Sequence, residues 1–175
     1  YIMSPKDLKT IHFLNKMLDA GVRVLKIEGR ARGPEYVKTV VECYKEAVEL
    51  WLQGEGKWPT DDERIEKKID NWNTRLARVF NRGFWDGYYQ GQKLGEWSEK
   101  YGSSATEKKV YVAKGVKYFS RLGVGEFYVE AGEINVGDRL LLVGPTTGVH
   151  YLTATEIHFA DKGAIQTAKK GQVVS

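Results

Sequence analysis

One cysteine, Cys43, is all the chain contains among its 175 residues. That excludes an internal disulfide and any multi-cysteine metal site within this sequence. Long apolar runs are missing too: none approaches the ~20 residues of a membrane-spanning helix, so no membrane partner is expected. The first residues lack the basic-then-apolar pattern of a signal peptide, and together these absences fit a cytoplasmic protein. His12, His150 and His158 are the only histidines and lie scattered, which gives a histidine metal site no support. No Walker A loop, HExxH motif or nucleophile elbow is present. Charge of one sign is not concentrated either. The net charge is +4, with 18 basic and 16 acidic residues over 1–103 and 9 and 7 over 104–175. Neither half reads as a basic patch.

What is present suits one domain or two small ones. Tyr1–Met3 reads as the tail of a strand, so the sequence is expected to be a piece of a longer protein. Ser4-Pro-Lys-Asp7 predicts a helix start, with Ser as N-cap, Pro at the first position and an acid behind it. Leu8, Ile11, Leu14 and Leu18 follow at helical spacing, and Gly21 is placed to stop the helix. Residues 22–27 then predict a short strand. Alternation puts Leu25 and Ile27 on one face, and Val22, Val24, Lys26 and Glu28 on the other. A strand face that ends in Lys26, Glu28 and Arg30 is either the rim of a site or a structural ion pair. After exposed Arg32, Pro34–Gly54 predicts a helix with an apolar stripe from Val37 to Trp51 and Cys43 on its flank. That cysteine reads as a buried hydrophobe, not a nucleophile.

Thr60 with Asp61, Asp62 and Glu63 predicts the next helix start. Its apolar face runs Ile65, Ile69, Trp72, Leu76, Val79, and its opposite face carries Arg64, Lys67, Lys68, Arg75 and Arg78. Acids dilute that basic face, so it reads as solvated. Residues 81–89, Asn-Arg-Gly-Phe-Trp-Asp-Gly-Tyr-Tyr, gather aromatics around one cation. Arg82, Phe84, Trp85, Tyr88 and Tyr89 could stack on bases, or could wedge a loop against its neighbours. Gly91–Thr106 reads as a linker. From Lys108 the apolar period becomes two, with short strands and no helix between them, which predicts a small antiparallel β-barrel.

Three stretches carry a resemblance. Met3-Ser-Pro-Lys-Asp-Leu8, Lys26-Ile-Glu-Gly-Arg30 with the Glu35-Tyr-Val37 helix, and Asn81-Arg-Gly-Phe84 with Gly87 resemble the peptidase U32 family, the collagenase-like proteases. Val136-Gly-Asp138 and Gly144-Pro-Thr-Thr-Gly148 are similar to that family's C-terminal domain, itself like the second domain of elongation factors. The resemblance implies an α/β plus all-β chain. Residues 1–90 would be the last strands and helices of a modified (β/α)8 barrel, 91–106 a linker, and 107–175 the small barrel. It also implies Lys26, Glu28 and Arg30 as catalytic residues at the barrel's carboxyl mouth. Arg32, Arg82, Phe84, Trp85, Tyr88 and Tyr89 would bind RNA or another substrate. Family members include enzymes that hydroxylate a pyrimidine of tRNA or ribosomal RNA with prephenate and an iron–sulfur cluster, and others regarded as peptidases. The implied partner is therefore tRNA or another RNA, or a protein substrate. The implied cluster would be held by cysteines outside this sequence, leaving no cofactor within it.

Overall fold

A computed structural model describes residues 4–58 and 63–175. The strand tail expected at Tyr1–Met3 and the helix cap expected at Thr60–Asp62 lie outside the described residues. The chain divides into two compact units, Tyr1–Lys108 and Lys109–Ser175.

The first unit begins with a departure from the sequence pattern. Ser4–Leu8 is extended, not a helix start. Strand β1 (Asp7–Leu8) pairs in parallel with β2 (Phe84–Trp85). On the other side Pro5 bridges Trp97, the Lys6 N–H donates to the Glu96 carbonyl and the Ser98 N–H to the Ser4 carbonyl. Backbone groups supplied from residues 83–98 thus outweigh a local N-cap preference. Helix starts later, as a 3-10 turn at Ile11–Phe13 that runs into α1 (Leu14–Asp19). Ile11, Leu14 and Leu18 are buried, while Leu8 is half exposed. Gly21 ends the helix as predicted, at φ 96°. The Val22 N–H reaches back to the Met17 carbonyl and the Gly21 N–H to Leu18, the paired bonds of a Schellman ending.

Residues 22–28 do not form the predicted strand. Their alternation survives nonetheless: Leu25 and Ile27 pack on the helical core while Val24 stays 84 % exposed. A strand needs a ladder partner, and among the described residues none lies beside this segment. Helix α2 (Pro34–Gln53) has Pro at its start and Gly54 as C-cap. Cys43 lies in the middle of its buried stripe, not on the flank, together with Val40 and Ala47, whereas Val41 is 43 % exposed. Helix α3 (Glu63–Arg78) buries Ile65, Trp72 and Leu76. The Trp72 indole N–H donates to Glu46 Oε2 at 2.8 Å, and Arg75 grips both oxygens of the same carboxylate at 2.7 and 2.8 Å. One acid on α2 therefore satisfies a buried indole and a guanidinium of α3.

The second unit is all β: β3 (Ala113–Phe119), β4 (Val124–Val129), β5 (Glu133–Asn135), β6 (Arg139–Gly144), β7 (Gly148–Thr153), β8 (Ile157–His158), β9 (Ala164–Ile165), β10 (Thr167–Lys169) and β11 (Val173–Val174). Antiparallel ladders join β11-β4-β3, β10-β5, β6-β7 and β8-β9. Around Val129, Ile134, Ala154, Ile157, Ala168 and Val174 they build a core of their own. The ladders do not close into the expected barrel. Closure requires continuous pairing around the sheet, and here the strands are short. The register slips between Gly115 and Lys117, and pairing stops between β7 and β8 at buried Ala154.

Candidate ligand-binding site

The turn after Ile27 places the predicted catalytic residues on the surface. Lys26, Glu28 and Arg30 are all exposed. Glu28 does not pair with Lys26; its carboxylate accepts the Arg30 backbone N–H at 2.6 Å and closes the turn. Among the described residues the Lys26 and Arg30 side chains make no ion pair.

A second cluster forms a few residues further on, around an acid that sequence reasoning had assigned to a helix. Asp7 on β1 accepts the Arg82 backbone N–H on Oδ2 at 3.0 Å. Its Oδ1 faces two guanidiniums, Arg32 at 3.4 Å and Arg82 Nε at 3.7 Å. Arg32 is also stacked, its guanidinium 4.1 Å from the centre of the Phe80 ring and 5.6 Å from that of Tyr36. Burial, with Asp7 near, pushes the Tyr36 hydroxyl above its ordinary pKa against the opposing pull of Arg32. The loop that presents Arg82 is fixed by Asn81, which is buried. Its amide donates to the Ala77 and Val79 carbonyls and accepts the Gly83 N–H. Gly83, at φ 83°, makes that turn possible.

The aromatics of the loop divide. Phe84 and Trp85 are β2 itself and half-buried; Lys9 sits 4.7 Å over the Phe84 ring and donates to Asn73 Oδ1 at 2.8 Å. Burial pushes the Lys9 ammonium below its ordinary value, with Asp86 opposing. Tyr88 and Tyr89 are more than 60 % exposed. Trp85 and Tyr88 meet edge to face at 5.2 Å. Beside Tyr89 lies an open hollow of about 260 Å³, floored by Phe13, Met17 and Val22 with Lys16 at its edge. The structure therefore brings Arg32 and Arg82 together, joins Trp85 to Tyr88, and leaves Lys26, Glu28 and Arg30 on a separate turn.

The Asp7, Gly29–Arg32 and Asn81–Gly87 segments that build these contacts all fall within residues 1–99, which match the model of peptidase family U32. The chain belongs to that family. Over all 175 residues this U32 chain is 60 % identical to a protein named collagenase from Porphyromonas gingivalis, of which it covers 40 %. It is 35 % identical over 57 % of its length to tRNA hydroxylation protein P1 of Bacillus subtilis, covering 23 % of that protein. To tRNA hydroxylation protein P of Escherichia coli it is 25 % identical over 86 % of its length, covering 31 %. The chain spans less than half the length of these relatives. No solved structure matches it.

An iron–sulfur cluster does not fit the described residues of this U32 chain. Cys43 is fully buried, and burial pushes its thiol up to about 11, the opposite of what a thiolate ligand requires. Among the described residues no group of three or more His, Cys, Asp or Glu side chains is placed to hold a metal. Nor is any described helix long and apolar enough to cross a membrane. Sequence reasoning missed Asp7 and Lys9 as site residues. The signal for Asp7 was the hexapeptide Met3–Leu8 that carried the family resemblance, read there as a helix cap instead of a strand; Lys9 follows it directly.

Proposed function

We propose that this chain is the RNA-docking portion of an RNA-modifying U32 enzyme, and that the whole protein hydroxylates the wobble uridine of a tRNA. The observation that carries the reading is that Arg32 and Arg82 share one carboxylate, in a unit that also exposes the rings of Tyr88 and Tyr89. Paired guanidiniums suit a single-stranded backbone, and exposed ring faces suit its unstacked bases. Relatives named for tRNA hydroxylation support it. In this reading the first unit contributes the closing elements of a modified (β/α)8 barrel, with Lys26, Glu28 and Arg30 at its carboxyl mouth. The β unit is an elongation-factor-like docking module, and the cluster's cysteines lie outside this sequence.

A second reading, a peptidase acting on protein, is favoured by the 60 % identity to a protein named collagenase. One experiment separates them. The full-length protein is incubated with unmodified tRNA and prephenate, and separately with gelatin. Hydroxylated uridine detected by mass spectrometry, with gelatin intact, is the expected result. Gelatin cleavage without a tRNA product replaces the first reading with the second. The 175-residue chain alone should give neither product.

A further inference from the structure

Arginines in this unit show two very different degrees of satisfaction. Arg75 Nη1 holds both oxygens of Glu46 at 2.7 and 2.8 Å and Nη2 adds Glu42 at 3.4 Å, the short distances of a charge-assisted pair. Among the described residues Arg32 and Arg82 have no such short contacts. Both turn to a single carboxylate, and Asp7 has already committed one oxygen to the Arg82 backbone N–H. The remaining distances, 3.4 and 3.7 Å, are long for charged pairs. Arg82 Nε is buried and, among the described residues, has no hydrogen-bond acceptor. Such a donor carries a desolvation cost that a bound acceptor would remove. The two guanidiniums, with five N–H donors each, thus share Asp7 Oδ1, and Arg32 has the Tyr36 hydroxyl as a further partner.

The arrangement is also rigid. Stacking on Phe80 and Tyr36 fixes the plane of Arg32, and Asp7 ties the Arg82 backbone. Fixed guanidiniums of like charge around one acid suit an acceptor-rich anion. We propose that Arg32 and Arg82, held apart by Asp7, form a seat for a single phosphate-type oxyanion. Its tetrahedral oxygens would take the donors that Asp7 leaves open. Arg82, the more exposed of the two, is the entry side. That the phosphate comes from an RNA backbone rests on the RNA reading above; the seat itself rests on the donor imbalance alone.

The test titrates the protein with inorganic phosphate, following its melting temperature, and with oligouridylate at several salt concentrations. The variants are Arg32→Gln, Arg82→Gln and Arg82→Lys, the last keeping charge and stem should Arg82→Gln fold poorly. Phosphate should raise the melting temperature of the wild type, and either glutamine variant should abolish that rise. For oligouridylate, each should lower the log–log salt slope by ~0.7, one phosphate contact on a single strand. Arg82→Lys should bind more weakly without changing the slope. If the glutamine variants melt lower but phosphate still raises their melting temperature as in wild type, the arginines are only a clasp and the seat is overturned. Oligouridylate bound equally by all variants also overturns the seat, while the RNA reading stands. Arginine-dependent phosphate binding without oligouridylate binding supports the seat and removes RNA as its source.

Discussion

Asp7 and Cys43 show how burial and partners, more than residue type, set what a side chain does here. Asp7 accepts a backbone N–H that loses its acceptor when the carboxylate is removed. Asp7→Ala should therefore destabilise the first unit by about 1–3 kcal/mol, read from urea unfolding. By contrast Glu28→Gln and Arg30→Ala touch exposed side chains. Both should change stability by no more than about 0.5 kcal/mol while abolishing activity of the full-length protein. A large stability loss with activity retained would make that turn structural. Cys43 has its thiol pushed up from 9.0 to about 11 by burial. An acid whose folded pKa is raised keeps its full contribution below pH 9 and loses it as pH climbs toward 11. Stability should fall across that window by up to about 2.7 kcal/mol more in the wild type than in Cys43→Ala. Identical pH slopes in the two proteins would mean that the thiol is not shielded.

Between elements, the contact that matters most is the Glu46 carboxylate shared by Trp72 and Arg75. Burial raises its pKa, but hydrogen bonds from Arg75 and Trp72 outweigh this and hold it below the usual carboxylate range. The sign follows: this stabilisation is present above the unfolded carboxylate pKa and is lost as pH falls through the lowered value. Glu46→Ala strands a buried indole N–H, at a cost of about 1–2 kcal/mol after allowing for solvent around a half-exposed acid. Its acid-unfolding midpoint should shift accordingly. The segment 22–28 makes a different prediction. Its amides 24–29 have no backbone acceptor among the described residues. They should exchange with deuterium far faster than those of α2. Protection equal to that of α2 would show a ladder partner beside it.

At the scale of the whole molecule, each of the two units has its own core. Val129 is fully buried in the β unit, and Val129→Ala should destabilise that unit by ~2 kcal/mol through lost transfer energy and a cavity. Amide exchange should rise there and stay unchanged in the helices of the first unit. The sequence by itself determined the features whose causes are local. These are α2 with Pro34 at its start and Gly54 at its end, the Gly21 stop, the inward pair Leu25 and Ile27, and the change to a two-residue period after Lys108. Each follows from backbone dihedral preference or from the repeat of apolar side chains, and both are written within one or two turns of chain. Only the tertiary structure decided the rest. Ser4–Leu8 is extended because residues 83–85 and 96–98 supply backbone partners that no local cap can match. The ladders of the second unit stay separate because strand length and bulges decide closure, not alternation. The arginine pair exists because Asp7 meets residues 25 and 75 positions away along the chain. Such encounters depend on packing between distant segments, for which a single sequence carries no periodic signal.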